Sequence, residues 1–209
     1  MHTRDYKLCA PGEYYHIYNR GNAKDKIFLD ESDYKFFLLR LKQNLGLEKK
    51  ANRHFRPLPE GAFSIIGYCL MPNHFHFLVR QNLEIPTSKL LGKLCTSYSM
   101  YFNKRYDRVG HIFQDQFKQK NIQNNEYLLW LSAYIHLNPV WANIVNSADQ
   151  YPWSSIHDYV DVGKKHAEII EPEIVLSQIL GNNYKNFIAE AQKIDKSKFD
   201  LDFDFEFVD

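Results

Sequence analysis

Hydrophobic and polar positions divide the chain into short alternating runs and longer stretches of helical period. Residues 13–19, EYYHIYN, alternate and are rich in β-prone side chains, and RGNAKDKIF behind them has the glycine and polar residues of a turn, so a first strand is expected. DESDYKFFLLRLKQNLGL opens with acids, repeats apolar residues at helical spacing (Phe37, Leu38, Leu41, Leu45) and stops at Gly46. It predicts a helix capped by Ser32 or Asp33. The basic, proline-containing KKANRHFRPLPEG reads as a loop before a β-rich run over 62–71. Pro72 and Asn73 then turn the chain into a further strand, HFHFLVR.

A second helix is predicted over about 85–106, with Thr87 or Ser88 as cap, and a fourth strand near 116–122. NNEYLLWLSAYIHLNPV predicts a third helix over about 125–137, ending near Asn138 because Pro139 disfavours helical backbone in the residue before it. The order β, α, β, β, α, β, α is that of an α+β, ferredoxin-like split βαβ fold. Its antiparallel sheet carries helices on one face and leaves the other open to a ligand. Residues 1–150 form the expected catalytic domain. Residues 151–209 form a C-terminal extension, with helical stretches near 171–181 and 183–194 and an acidic, aromatic tail.

Hydrophobic content of 44%, with 15% aromatic, indicates a folded core. The 3 cysteines, Cys9, Cys69 and Cys95, lack the spacing of a zinc or redox motif, and no apolar stretch is long enough to span a membrane. A soluble, cytoplasmic protein with reduced thiols is expected. The net charge of +1 hides an asymmetry: residues 195–209 hold 6 acids and 2 lysines, so residues 1–194 carry 24 basic and 19 acidic side chains. That balance permits phosphate contacts without requiring them.

Within HFHFLVR, His74 and His76 are two apart and project from the same side of a strand, while Phe75 and Phe77 project from the other. The pair can bind one divalent cation, or can be two half-exposed surface histidines. On the third helix Tyr134 and Asn138 lie four apart and share a face. Asn138 offers a hard carbonyl oxygen suited to Mg²⁺ or Mn²⁺, and Tyr134 offers a phenol able to attack phosphorus. Taken alone, they read first as one of 14 tyrosines and as a helix C-terminal residue before a proline. His111 and His136 are candidate bases only by proximity, and otherwise surface or packing residues.

Five ordered segments, YHIYNRGN, GYCLMPNHFHFLVR, GHIFQDQFK, YIHLNPVWANIV and YPWSSIHDY, resemble the single-tyrosine HUH transposases of insertion sequences, and more closely the REP-associated tyrosine transposases. The resemblance runs over roughly residues 14–160. It implies that His74, His76 and Asn138 hold Mg²⁺ or Mn²⁺ and that Tyr134 is the nucleophile. The activity it implies is cleavage and rejoining of hairpin-bearing single-stranded DNA through a 5′-phosphotyrosine, with no nucleotide cofactor and no membrane. Asn19, Arg20, Asn22, Lys24, Lys118 and Lys120 are the candidate DNA contacts. Insertion-sequence members exchange the tyrosine helix between two subunits; the longer extension here favours a monomer. Two alternatives stay open: a domesticated hairpin-binding protein with little strand transfer, and a metallophosphodiesterase that activates water. In the tail, KFDLDFDFEFVD, an extended chain has one apolar and one acidic face, which suits a docked edge strand or a DNA mimic over a basic groove.

Overall fold

The computed structural model describes residues 10–48, 55–161 and 169–194. The alternation in EYYHIYN becomes strand β1, Tyr14–Arg20, and the two apolar runs around Pro72 become β2, Phe63–Met71, and β3, His74–Gln81. A short strand β4, Lys118–Ile122, completes a sheet of order β2-β3-β1-β4 in which every neighbouring pair is antiparallel. Helices α1, Glu31–Asn44, and α2, Thr87–Arg105, supply the two crossings, so the α+β, ferredoxin-like topology expected from the sequence is the one observed.

Directly paired residues of adjacent strands share a face, so the register sorts the side chains. Ile17 pairs with Phe77 and Asn19 with Phe75, whereas Tyr18 pairs with His76 and Arg20 with His74. On the first face, Phe37 of α1 lies 5.3 Å from Phe75 and 6.2 Å from Phe77, ring centre to ring centre, with Tyr98 of α2 edge-on to Phe37 at 5.0 Å. The second face is not left open. A third long helix, α3, Asn125–Trp141, lies against it over β2 and β3. Cover on both faces explains why FSIIGYCLM is apolar almost throughout instead of alternating, and why every residue of β2 is buried.

Three helix ends differ from their sequence expectation. The cap of α1 is Asp30, which accepts from Ser32 N at 2.8 Å and from Asp33 N. Asp33 reciprocates to the backbone N–H of Asp30 and Leu29, and its buried carboxylate also accepts from Arg105 at 3.0 Å, Tyr106 at 2.8 Å and Tyr101 at 3.2 Å, tying α1 to the end of α2. Helix α2 starts after Pro86 with no side-chain cap, because Thr87 Oγ1 is directed to Gln119 of β4. Helix α3 runs through Pro139 for a further turn; the proline sits where the helix is about to end, and Ala142 N closes it on Asn138 O at 3.0 Å.

Beyond α3 the chain packs along the outer edge of β2. Leu70 N donates to Trp153 O (2.9 Å), Ser155 N to Tyr68 O (3.0 Å) and Glu171 N to Ile65 O (3.0 Å), which covers an edge that would otherwise expose unpaired backbone. Three short helices follow: α4, Ile156–Val160, α5, Glu173–Leu176, and α6, Tyr184–Gln192. The helical stretch expected over 171–181 is thus shorter than its apolar spacing suggested. His136 of α3 is buried between this extension and the sheet, with Nδ1 2.7 Å from Tyr184 Oη and Nε2 2.8 Å from Ser155 Oγ. The acidic, aromatic tail lies outside the described residues, as does Cys9. Among the described residues no helix is long and apolar enough to cross a membrane.

Candidate active site

The even-numbered side chains of β1 and β3 and the underside of α3 enclose one cluster. His74 and His76 have ring centres 5.1 Å apart with planes at 86°. Both are buried, so they are not surface histidines. Phe75 and Phe77 anchor the opposite face of the strand and fix this orientation. Each imidazole is also held through Nδ1: His74 Nδ1 lies 2.6 Å from Asn73 Oδ1, and His76 Nδ1 lies 2.9 Å from Nε2 of His16 on β1. His16 stacks on His76 at 5.1 Å and on Tyr18 at 4.7 Å. Burial, reinforced by the Lys120 charge, pulls its pKa down to about 3, so His16 is neutral.

Tyr134 descends from α3 onto this pair. Its ring stands edge-on to His76 at 5.6 Å and to His16 at 6.5 Å, backed by Trp141 at 5.7 Å. Trp141 belongs to the turn that α3 adds beyond Pro139. Burial pushes the phenol's pKa well above its ordinary value of 10, and the neighbouring Asn138 side chain pulls the other way. Asn138, one turn along, is buried and donates Nδ2 to the Tyr134 carbonyl at 2.9 Å, a bond that leaves Oδ1 as its remaining polar atom. The structure therefore brings His74, His76 and Tyr134 together, with Asn138 adjacent on the same helix. His136, two residues from Tyr134, points to another side of α3 and is held by Ser155 and Tyr184, so it is a packing residue; His111 is exposed.

The candidate DNA contacts separate. Lys118 pairs with Tyr18 and Lys120 with His16, which puts both lysines on the histidine face of the sheet, and Lys120 Nζ lies 5.4 Å over the Tyr127 ring. Arg20 shares that face at the end of β1, where its Nε donates to Gln114 Oε1 at 2.5 Å. Asn22 and Lys24 are exposed in the turn that follows. Asn19 does not belong with them. It is buried on the opposite face, where Nδ2 donates to Asp115 O at 3.0 Å and Oδ1 accepts from Arg20 N, because strand alternation turns it away from its two neighbours. It lines a cleft of about 690 Å³ between α2 and residues 110–117.

The turn after β1 is built around Gly21, whose N–H donates to Asn73 O at 2.7 Å. A Cβ there would lie 2.0 Å from Asp25 O, so only glycine fits. Gly21→Ala is expected to cost about 1–3 kcal/mol and to lower the melting temperature by about 4–10 °C as the turn moves off Asn73. An unchanged melt would mean that the turn adjusts freely.

Among the described residues no three His, Cys, Asp or Glu side chains cluster as a metal site. The donor set is two imidazoles plus, at most, an amide oxygen, with the remaining positions left to water or to phosphate oxygens. Two buried rings, each engaged through Nδ1, fit one divalent cation, and their nitrogen content suits Mn²⁺ better than Mg²⁺. His16 is the residue that sequence reasoning missed. Its signal was present, since His16 and Tyr18 alternate like His74 and His76, but only the pairing register sets His16 against His76.

Residues 13–138 match the family model described as IS200-like transposase. No curated protein matches the chain. Among solved structures, it is similar to a REP-associated tyrosine transposase bound to a REP hairpin, with a TM-score of 0.58, 17% identity, and cover of 82% of this chain and 93% of that one. That likeness is one of fold. More distant are a protein of Deinococcus radiodurans R1 assigned as a transposase (TM-score 0.40, 12% identity, 65% and 95% cover) and the tRNA(His) guanylyltransferase of Saccharomyces cerevisiae (TM-score 0.34, 13% identity, 89% and 84% cover). At those scores neither bears on function.

Proposed function

This chain belongs to the IS200-like transposase family, and on that premise we propose that it cleaves and rejoins single-stranded, hairpin-bearing DNA through Tyr134. The observation that carries the proposal is the packing of the Tyr134 ring against His76, beside His74 and within one chain. Tyr134 Oη forms a bond to the scissile phosphorus and loses its proton, while the 3′-oxygen leaves and gains one. The 5′-phosphotyrosine keeps the energy of the phosphodiester, so attack by a 3′-hydroxyl rejoins the strand without ATP. Lys118 and Lys120 on β4 and Arg20 on β1 bring positive charge to the face on which the phosphate must lie. His74, His76 and Asn138 would hold a divalent cation, which when bound would polarise the phosphate and offset charge in the transition state. The contact of Tyr134 with a histidine of its own chain supports action as a monomer, and the hairpin in the similar structure supports a hairpin substrate.

One observation favours a second reading. A phenol whose pKa is raised by burial is a poor nucleophile until its proton is removed, which suits a metallophosphodiesterase that activates water instead. Incubation with a single-stranded hairpin oligonucleotide separates the two. Strand transfer gives a denaturation-resistant protein–DNA adduct mapped to Tyr134 by mass spectrometry, in higher yield with Mn²⁺ than with Mg²⁺. Cleavage that leaves only free ends, with no adduct, sinks the tyrosine mechanism.

A further inference from the structure

A neutral imidazole carries one proton, so a histidine that offers a cation the lone pair of one nitrogen keeps its proton on the other. In both histidines of β3 the nitrogen engaged by a neighbouring side chain is Nδ1. For His74 a second contact of Asn73 orients that bond. Asn73 donates Nδ2 to the Lys24 carbonyl at 3.4 Å, so its amide oxygen, which can only accept, faces the ring at 2.6 Å. Turning the amide over would set two oxygens against each other. In that orientation of the amide His74 is protonated on Nδ1, with its lone pair on Nε2. Between His76 and His16 one proton lies on a 2.9 Å line joining two nitrogens. Of its two positions, only donation by His76 leaves the His76 lone pair on Nε2, and His16 must then be the acceptor.

We propose that Asn73 and His16 are positioning residues for the cation site, each accepting Nδ1–H from one histidine so that both present Nε2 to the same ion. Neither residue touches the ion. Asn73 does this from the turn that leads into β3, held by the Gly21–Lys24 segment; His16 does it from the neighbouring strand, stacked on Tyr18. A mutation in the turn after β1 thus reaches the site through Asn73. The proposal rests on the reading of His74 and His76 as cation ligands.

Two measurements on the full chain test it. Long-range ¹H–¹⁵N correlation of the imidazoles in metal-free protein should show His74 as the Nδ1–H tautomer. That signature should be retained in Asn73→Asp, which keeps an acceptor, and be lost to a mixture in Asn73→Leu. Calorimetric titration with Mn²⁺ should show affinity about 10–100-fold weaker in Asn73→Leu and His16→Phe, with a smaller loss in His16→Gln, and with circular dichroism confirming the fold. His74 found as the Nε2–H tautomer, or Mn²⁺ affinity unchanged in both Asn73→Leu and His16→Phe, overturns the proposal. Mn²⁺ binding that survives His74→Ala and His76→Ala instead removes the cation reading itself, and the positioning role with it.

Discussion

Tyr134→Phe is expected to abolish the covalent adduct with hairpin DNA completely while leaving the fold and hairpin binding nearly unchanged. The phenyl ring keeps the edge contact with His76 and the packing against Trp141, so the substitution removes one hydroxyl and little else. Among the described residues Tyr18 also comes near the pair, its ring centre 5.9 Å from that of His76. Tyr18 is stacked on His16, however, and Tyr127 lies about two helix turns before Tyr134, under Lys120. Adduct formation in the variant, measured by gel shift under denaturing conditions, would remove Tyr134 as nucleophile; hydrolysis without adduct in both proteins would favour water activation. The pH profile supplies a second constraint. The phenol's pKa lies above 10 in the free protein, so fewer than about one in a thousand molecules is ionised at pH 7. If the phenolate is the attacking species, the single-turnover rate should rise about tenfold per pH unit through neutrality and not level off before pH 9. A plateau below pH 8 would mean that the bound cation or phosphate has already pulled the proton off.

The sequence carried the strand half of this site and little of its second layer. Alternation alone puts His74 and His76 on one side of β3, and four-residue spacing alone puts Asn138 one turn from Tyr134, because both follow from local backbone geometry. Which strand lies beside β3, and in what register, depends on contacts far apart in the chain. That is why His16 was missed and why Asn19 was grouped with Arg20 and Asn22 although it faces the other way. The end of α3 was misplaced by treating Pro139 as a stop. A proline in the last turn forgoes only one hydrogen bond, and the extra turn puts Trp141 behind the tyrosine. The caps of α1 and α2 went astray for a tertiary reason, since Asp33 and Thr87 are committed to partners on other elements. The ferredoxin-like order was legible because each element had its own period. The cover that the extension lays on β2 was not, because it is made by irregular backbone.

Acid is expected to destabilise the metal-free protein steeply before its carboxylates titrate. His16 and His136 are both fully buried, and burial lowers each pKa from 6.5 to about 3, helped by Lys120 for His16 and by His157 for His136. In the unfolded chain both rings bind a proton below about pH 6.5; in the folded chain they do not until about pH 3. The unfolded state thus holds more protons throughout that window, so stability is complete above pH 6.5 and falls as the pH drops. The slope is about 1.4 kcal/mol per unit for each ring, or nearly 3 kcal/mol per unit for the two, against a total of about 5–15 kcal/mol for a domain. Urea midpoints measured between pH 7 and 4.5 in the presence of a chelator should therefore fall sharply below pH 6. Replacing His136 with glutamine lowers stability near pH 7, because Ser155 and Tyr184 lose a partner, but it should also halve the slope, and the slope is the reading that isolates protonation. A midpoint that stays flat from pH 7 to 4.5 would mean that water reaches these rings. The histidine cluster beneath Tyr134 would then be a wet site, with the phenol far easier to ionise than its burial implies.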